Sequence, residues 1–572
     1  MIDVPRPEHP RPDFERKAWQ NLNGEWEFAI GATRPGIEFP LRIIVPFCPE
    51  SKLSGLGHTD FMEAVWYRRK FCLDEALQGK RILLHFGAVD YEAQVWVNGK
   101  DVVHHKGGYT PFSADITDTL NTHGENELVV YVIDNIRSDC QPSGKQSHQL
   151  HSYGCMYTRT TGIWQAVWLE AVSETHISGL TVWPDAANAR VSLEVSIEKP
   201  KSGIRLEVSA SSDGKIIVLQ DLKPTNIITL EIPNPILWQP GKPHLYDLRL
   251  RLLDGIKAVD EVSSYFGLRD VRIEGDRILI NGEPIFQRLI LDQGFWPDGI
   301  YTAPSDTELK ADIERAIKLG FNGARLHQKI FEPRALYWAD KMGYLIWAEF
   351  PDWGCSIRTH VQARENFLRE WADAVLRDRS HPSIVAWTPL NEAHSNADRY
   401  NPLFLREVYD LTKRLDPSRP VVDASGYTHV KTDIWDLHDY DQNAESFKAR
   451  YDSFGIDPRT ETLPRNDGDH EPPYDGQPVV MSEYGGIWWN PGQQNEEAWG
   501  YGDRPSDEET FIERLTGLTN TLLDNPHITG LCYTQLTDVE QEVNGLYTYD
   551  RIAKFPQEEV RRILSKKAAI ET

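Results

Sequence analysis

The 572-residue sequence is poor in cysteine, poor in basic residues and free of long apolar runs. Six cysteines (Cys48, Cys72, Cys140, Cys155, Cys355 and Cys532) are scattered, with no Cys-x-x-Cys pair. Neither a zinc site nor a disulfide framework is therefore expected. The usage fits a reduced compartment, and a cytoplasmic location is expected. Pairing of Cys140 with Cys155 is the alternative for an exported protein. No apolar stretch approaches the length of a membrane span. The opening MIDVPRPEHPRPDFERK has neither the apolar segment nor the small-residue cleavage site of a signal peptide. Lys and Arg number 61 against 86 Asp and Glu, a formal net charge of −25. A surface that acidic repels phosphate backbones, which argues against a nucleic-acid partner. No clustered His and Asp metal-ligand motif is visible, so no metal and no cofactor are expected.

Aromatic residues are plentiful, with 18 Trp and 22 Tyr. Indole and phenol faces cover the C–H faces of sugars as well as other apolar surface. For any single Trp, a place in the core is the simpler reading. The chain divides into three by pattern. Residues 1–172 carry short alternating strands such as KRILLHFGAV and YEAQVWVNGK, with turn signals at Asn23-Gly24 and Asn98-Gly99. They predict antiparallel hairpins in a β-sandwich, a jelly roll. Residues 173–268 continue with strands at the spacing of an immunoglobulin-like β-sandwich, without its cysteines. From 269 to 572 strands alternate with helices, starting near Ser305, Glu332, Val361, Pro402, Asp507 and Pro556. Ser305 and Glu308 form a capping-box pattern, and Gly320 is a stop signal. Eight short apolar strands, FQRLI, GARLH, YLIWAEF, IVAWTPLNE, PVVDA, IWDLH, VVMSE and GLCYTQL, predict a TIM (β/α)8 barrel. In that fold the active site lies at the C-terminal strand ends.

Two of those ends carry glutamates. IVAWTPLNE closes on Asn391 and Glu392, and PVVMSEYGG places Glu483 at the end of the seventh expected strand. Two carboxyls facing one another across a barrel mouth suit glycoside hydrolysis, in which one is acid and then base and the other attacks the anomeric carbon. The acid must be protonated at the start, so whichever glutamate is the acid is expected to have a raised pKa from burial or a nearby negative charge.

Sandwich, immunoglobulin-like domain and barrel in that order, with WTPLNE, SEYGG, LNGEWEF, VWVNG, GGYTPFSADIT, TGIWQAVWLE and ILINGEPIFQR, resemble glycoside hydrolase family 2 over nearly the whole chain. The resemblance implies a retaining exo-glycosidase with Glu392 as acid/base, and so as the glutamate expected to have the raised pKa, and Glu483 as nucleophile. It implies that Arg325 orients the nucleophile and that Asn391 contacts the sugar 2-hydroxyl. Further barrel-mouth candidates are His327, Asp292, Glu349, His438 and Tyr484. His327 follows Arg325 by two residues where three is commoner, which leaves it between sugar contact and packing. Asp292 serves equally well as a loop cap. Trp488, Trp489 and Trp499 offer a stacking platform or packing. Tyr533 and Gln535 occupy the eighth strand end, where relatives often carry a Trp.

Glucuronidase-like members have an Asn-x-Lys that binds the uronate. This chain has Glu542-Val543-Asn544 there. A carboxylate in that place argues for a neutral carbohydrate substrate, β-galactosidase-like, with α-L-arabinoside and β-mannoside as alternatives. A binding protein without turnover and an unrelated metal-dependent barrel hydrolase are the competing classes. The 140–162 loop either reaches the pocket or lies far from it. Association into a homo-oligomer is common among large members.

Overall fold

The computed structural model describes residues 4–33, 39–121, 123–452, 471–492 and 495–571. The N-terminal unit packs a four-stranded sheet (in order Trp19–Asn21, Val167–Val172, Arg81–Phe86, Phe112–Asp115) on a six-stranded one (Leu41–Val45, Gly24–Ile30, Ala64–Phe71, Asn126–Ile133, Glu92–Val97, Lys100–Lys106). Period-two alternation drives this. In RILLHF the side chains of Ile82, Leu84 and Phe86 are buried and their neighbours are not. The Asn98-Gly99 turn is a hairpin with both residues at positive φ. Asn23-Gly24 is not a hairpin: it carries the chain from the four-stranded to the six-stranded sheet. The Asn23 side chain holds that crossing, donating to Pro5 O and accepting from Val167 N.

The second unit is a sandwich of three strands (His176–Asp185, Arg190–Glu198, Ile227–Glu231) and four (Lys215–Leu222, Ile204–Ser212, Tyr246–Asp254, Lys257–Phe266). Its edge strand Lys215–Leu222 has no clean alternation and was not foreseen.

The third unit is a curled parallel sheet of seven strands. Their order is Ile384–Thr388, Leu345–Glu349, Gly323–Leu326, Gln287–Asp292, Ile528–Thr534, Val479–Gly485 and Trp435–Asp439. The expected strand PVVDA is not a ladder strand. Residues 420–425 touch the sheet only through isolated parallel bridges, Trp387 to Val421 and Asn391 to Ser425. On the other side, side chains do the joining: Asp436 accepts from Ser425 Oγ and from Gly426 N, and His429 lies between Asp423 and Asp436. A small hairpin sheet (271–284) plugs the barrel floor, with Val271, Ile278 and Ile280 packed on Leu289, Trp347 and Cys532. Helices run from Asp306, Pro333, Val361, Pro402, Glu508 and Gln557, close to the expected starts. Ser305 Oγ accepts from Glu308 N, so the cap forms, while the Glu308 carboxylate turns to Arg315. Helix Ala444–Asp452 was not foreseen: only Phe447 and Tyr451 of it are buried.

The 140–162 loop of the first unit is stitched across the barrel mouth. Ser143 N and Gly144 N donate to Trp353 O at 2.7 and 3.1 Å. Trp499 Nε1 and Gln541 Nε2 both donate to Gly154 O at 2.7 Å. Tyr157 Oη donates to Glu542 Oε2 at 2.5 Å. A Cβ on Gly144, which has φ +56°, would come within 2.2 Å of Gln328 O, so the close crossing needs glycine. The loop therefore reaches the pocket.

Candidate active site

Parity along the strands decides which side chains meet. In a strand, alternate residues face opposite sides. Arg325 and Glu483 point into the barrel, so Tyr484 points out. Its hydroxyl meets Thr519 of the outer helix Glu508–Asp524 at 2.9 Å. Cys532 is inward, so Tyr533 is outward and packs edge-on against Tyr484. Neither tyrosine belongs to the mouth, contrary to expectation.

Arg325 is fully buried and forms the hub. Its Nε donates to Glu349 Oε2 at 2.6 Å, Nη1 to Glu483 Oε1 at 2.7 Å and Nη2 to Asn391 Oδ1 at 2.6 Å. Three neighbours from three strand ends are thus fixed by one planar fork. Glu349 lies beneath the pocket rather than lining it. It also accepts from Gln328 N, and His327 Nδ1 lies 2.9 Å from its Oε1. His327 is buried and its pKa is well below the usual histidine value, through burial and the charges of Lys145 and Arg325. It stays neutral and sits against Glu349.

Glu392 and Glu483 meet at His438. Nδ1 of the ring is 3.0 Å from Glu392 Oε1, and Nε2 is 3.4 Å from Glu483 Oε1. One carboxylate oxygen from each glutamate and the His438 donor all lie within 4.8 Å of one another. Gly426 seats the ring: a Cβ there would come within 2.3 Å of His438 Nδ1. Glu392 sits at φ +51°, a left-handed conformation that a non-glycine residue holds only when its surroundings impose it. Here its N–H is fixed to Ser425 O at 2.8 Å.

Burial raises the pKa of Glu483, but the charges of His438 and Arg325 outweigh it, and the net shift is downward. For Glu392 burial again pushes up, and the hydrogen bond and charge of His438, with Lys145 and Arg399, again prevail. The expectation of a raised Glu392 pKa is thus reversed, because the sequence did not reveal a histidine bonded to it. Burial depresses His438, and the two glutamates more than restore it, so it lies above the usual histidine value.

Several site residues escaped the sequence reading. Tyr440 Oη donates to Glu483 Oε2 at 2.5 Å, and its ring stacks on Tyr501 at 3.5 Å. Tyr440 follows His438 by two and shares its face, a signal that period two could have supplied. Trp353 is half-buried at the rim, its Nε1 3.4 Å from Asn391 O. Lys145 arrives from another domain, which no local pattern announces. Asp292 caps its own loop by accepting from Gly294 N at 2.9 Å. Its pKa is pushed up to about 6 by burial and by Asp312. Gln535 is one step removed: it donates to Asn544, which donates to Glu542 Oε1. Trp489 packs with Phe511 and Phe555, Trp499 stands on the loop at the rim, and the Trp488 backbone packs against Gly500.

Three family descriptions match in the order of the three units. "Glycosyl hydrolases family 2, sugar binding domain" matches residues 58–170, "Glycosyl hydrolases family 2" 175–269, and "Glycosyl hydrolases family 2, TIM barrel domain" 271–513. A "Beta-glucuronidase" of Paenibacillus borealis is 27% identical over 521 residues, 82% of this chain and 83% of that protein. A "Beta-galactosidase" of Thermoanaerobacter pseudethanolicus is 29% identical over 414 residues, 68% of this chain and 52% of that protein. This chain thus spans about half of that relative. A β-glucuronidase structure from Ruminococcus gnavus, in complex with a uronic isofagomine, superposes with a TM-score of 0.79. It is 20% identical and covers 98% of this chain and 100% of its own. With two glutamates meeting at the barrel mouth and all three of its domains matched in order, the chain belongs to glycoside hydrolase family 2 and is a glycosidase.

Proposed function

We propose that the enzyme is an exo-acting retaining glycosidase that removes a terminal neutral sugar, galactoside-like, with Glu483 as nucleophile and Glu392 as acid/base. The observation that carries this reading is the spacing. Carboxylate oxygens of the two glutamates lie within 4.8 Å, close to the roughly 5–5.5 Å separation of double-displacement enzymes and too short to seat a water between them. In the first step a Glu483 oxygen attacks the anomeric carbon while Glu392 gives its proton to the glycosidic oxygen, and the aglycone leaves as an alcohol. In the second, Glu392 takes a proton from water, the hydroxide oxygen bonds to the anomeric carbon, and Glu483 leaves as a carboxylate. Arg325 and Tyr440 hold Glu483 ionised and aimed. The proton that Glu392 donates is shared with His438.

The neutral glycone rests on Glu542, whose carboxylate stands where a uronate would need a cation. A uronide is the second reading, favoured by the β-glucuronidase relatives and by the ammonium of Lys145 near that carboxylate. α-L-Arabinosides and β-mannosides are the remaining alternatives. Nitrophenyl β-D-galactopyranoside, β-D-galactofuranoside, β-D-glucuronide, β-D-mannoside and both α-L-arabinosides form the test panel. One neutral glycoside should be turned over, with kcat reduced by at least about 10³-fold in Glu483→Gln. Full activity in Glu483→Gln would sink the mechanism, and preference for the glucuronide would replace the neutral sugar with a uronide.

A further inference from the structure

Lys145 is only 7% exposed, yet its ammonium has no carboxylate within ion-pair distance among the described residues. Nζ lies 5.5 Å from the centre of the Trp353 ring and 6.0 Å from that of Tyr157. Those rings touch the site on both sides. Trp353 reaches Asn391 O, and Tyr157 donates to Glu542. The backbone holding Lys145 is fixed as well, with Tyr157 N donating to Lys145 O at 2.8 Å and Gly144 tied to Trp353. Most of the side chain is buried, but Nζ itself is not among the sealed, unpartnered polar atoms, so the ammonium keeps an accessible face from which its donors can reach a ligand. Ring faces accept none of its three N–H donors in the usual way, and the cation–π attraction at these distances is modest. Burial works against the charge, and Cys155 with the carboxylates of Glu542, Glu483 and Glu392 more than restores it. Lys145 therefore stays charged, between two rings that themselves touch Asn391 and Glu542. Glu542 is held from behind, Oε2 by Tyr157 and Oε1 by Asn544.

We propose that Lys145, a residue of the N-terminal domain, donates hydrogen bonds to an oxygen of the terminal sugar away from the anomeric carbon and thereby helps to select the glycone. This rests on the proposed roles of Glu392 and Glu483. A hydroxyl and a uronate oxygen would both accept from Lys145, and the experiment separates them.

The test uses the full chain with Lys145→Met and Lys145→Arg, on nitrophenyl β-D-galactopyranoside, its singly deoxygenated analogues, and nitrophenyl β-D-glucuronide. In Lys145→Met, kcat/KM for the galactoside should fall by about 10²-fold, with the melting temperature unchanged and partial recovery in Lys145→Arg. One deoxy analogue should lose a similar factor with the wild type and nothing further with Lys145→Met, the non-additivity expected of a direct contact. Additive losses at every deoxy position would overturn the contact. Glucuronide turnover lost in Lys145→Met would overturn the hydroxyl and assign a carboxylate. Activity surviving in Glu483→Gln would instead count against the catalytic pair. Should the wild type turn over neither glycoside, thermal shift with D-galactose, L-arabinose, D-mannose and D-glucuronate replaces kinetics. A shift lost in Lys145→Met then sustains the contact, and no shift from any of them overturns it.

Discussion

Each ring nitrogen of His438 lies near a carboxylate, one from each glutamate, so the three groups titrate as a coupled set. This has a testable sign. Glu483 is held below the usual carboxylate range, and after burial His438 is the first cause acting in that direction. Removing the imidazolium raises the Glu483 pKa, so more of it is protonated at a given acidic pH. His438→Gln should therefore move the acid limb of the kcat/KM profile upward by roughly 1 pH unit or more. An unmoved limb would assign the ionisation of Glu483 to Arg325 and Tyr440. At this scale the sequence was informative wherever a residue ended a strand. Glu392, Asn391, Arg325 and Glu483 are brought together because TPLNE, GARL and VVMSE all stop at the same rim. It misled for Tyr484 and Tyr533, because one step along a strand reverses the face. The lowered Glu392 pKa was also illegible, since it depends on the pose of a histidine 46 positions away.

A single element, the 140–162 loop, decides how much of the mouth is covered. Its path depends on Gly144, whose φ of +56° and 2.2 Å clearance to Gln328 O admit no side chain. Gly144→Ala should lift the loop off the barrel and displace Lys145. The expected loss is on the order of 10² in kcat/KM, the usual penalty for an ångström-scale misplacement. Circular dichroism should remain that of the wild type. Wild-type kinetics in this variant would show that the loop adapts and that its fit matters little. The same contrast explains what could be read of the elements. Strands with clean alternation and helices with caps were legible. The loop's destination was not, because it is set by hydrogen bonds to residues more than 200 positions away. The fifth barrel position misled for a related reason: PVVDA reads as a strand, but Asp423 and Asp436 hold that segment through side chains.

Across the whole molecule, the first domain is bound to the barrel by buried polar contacts. Glu370 of helix Val361–Asp378 accepts from Tyr91 Oη at 2.7 Å and from Gly108 N at 2.9 Å. The roots of the 140–162 loop hang on three buried carboxylates of the sandwich. Asp134 accepts from Gln141 and Thr161, Asp90 from Gln146, and Glu50 from Thr161 N. Burial, aided by Asp134, pushes Glu50 up to about 8. Its folded pKa is therefore above the unfolded one. The stability it contributes is complete below the unfolded value near 4.5 and is lost as pH rises through about 8. The wild type should lose up to about 1.4 kcal/mol per pH unit across that window from this group alone. Glu50→Gln, which cannot ionise, should give a shallower fall of melting temperature across that window, between about pH 4.5 and about pH 8. Parallel curves for the two proteins would refute a protonated Glu50.

On the proposed role of Lys145, bond cleavage and the choice of sugar are carried by different folding units. The two glutamates are part of the barrel, while the lysine is carried by a loop of the sandwich. Lengthening or exchanging that loop alters which glycosides are admitted while the double-displacement machinery stays as it is. A lineage built this way can wander through substrates by remodelling a domain that breaks no bonds itself.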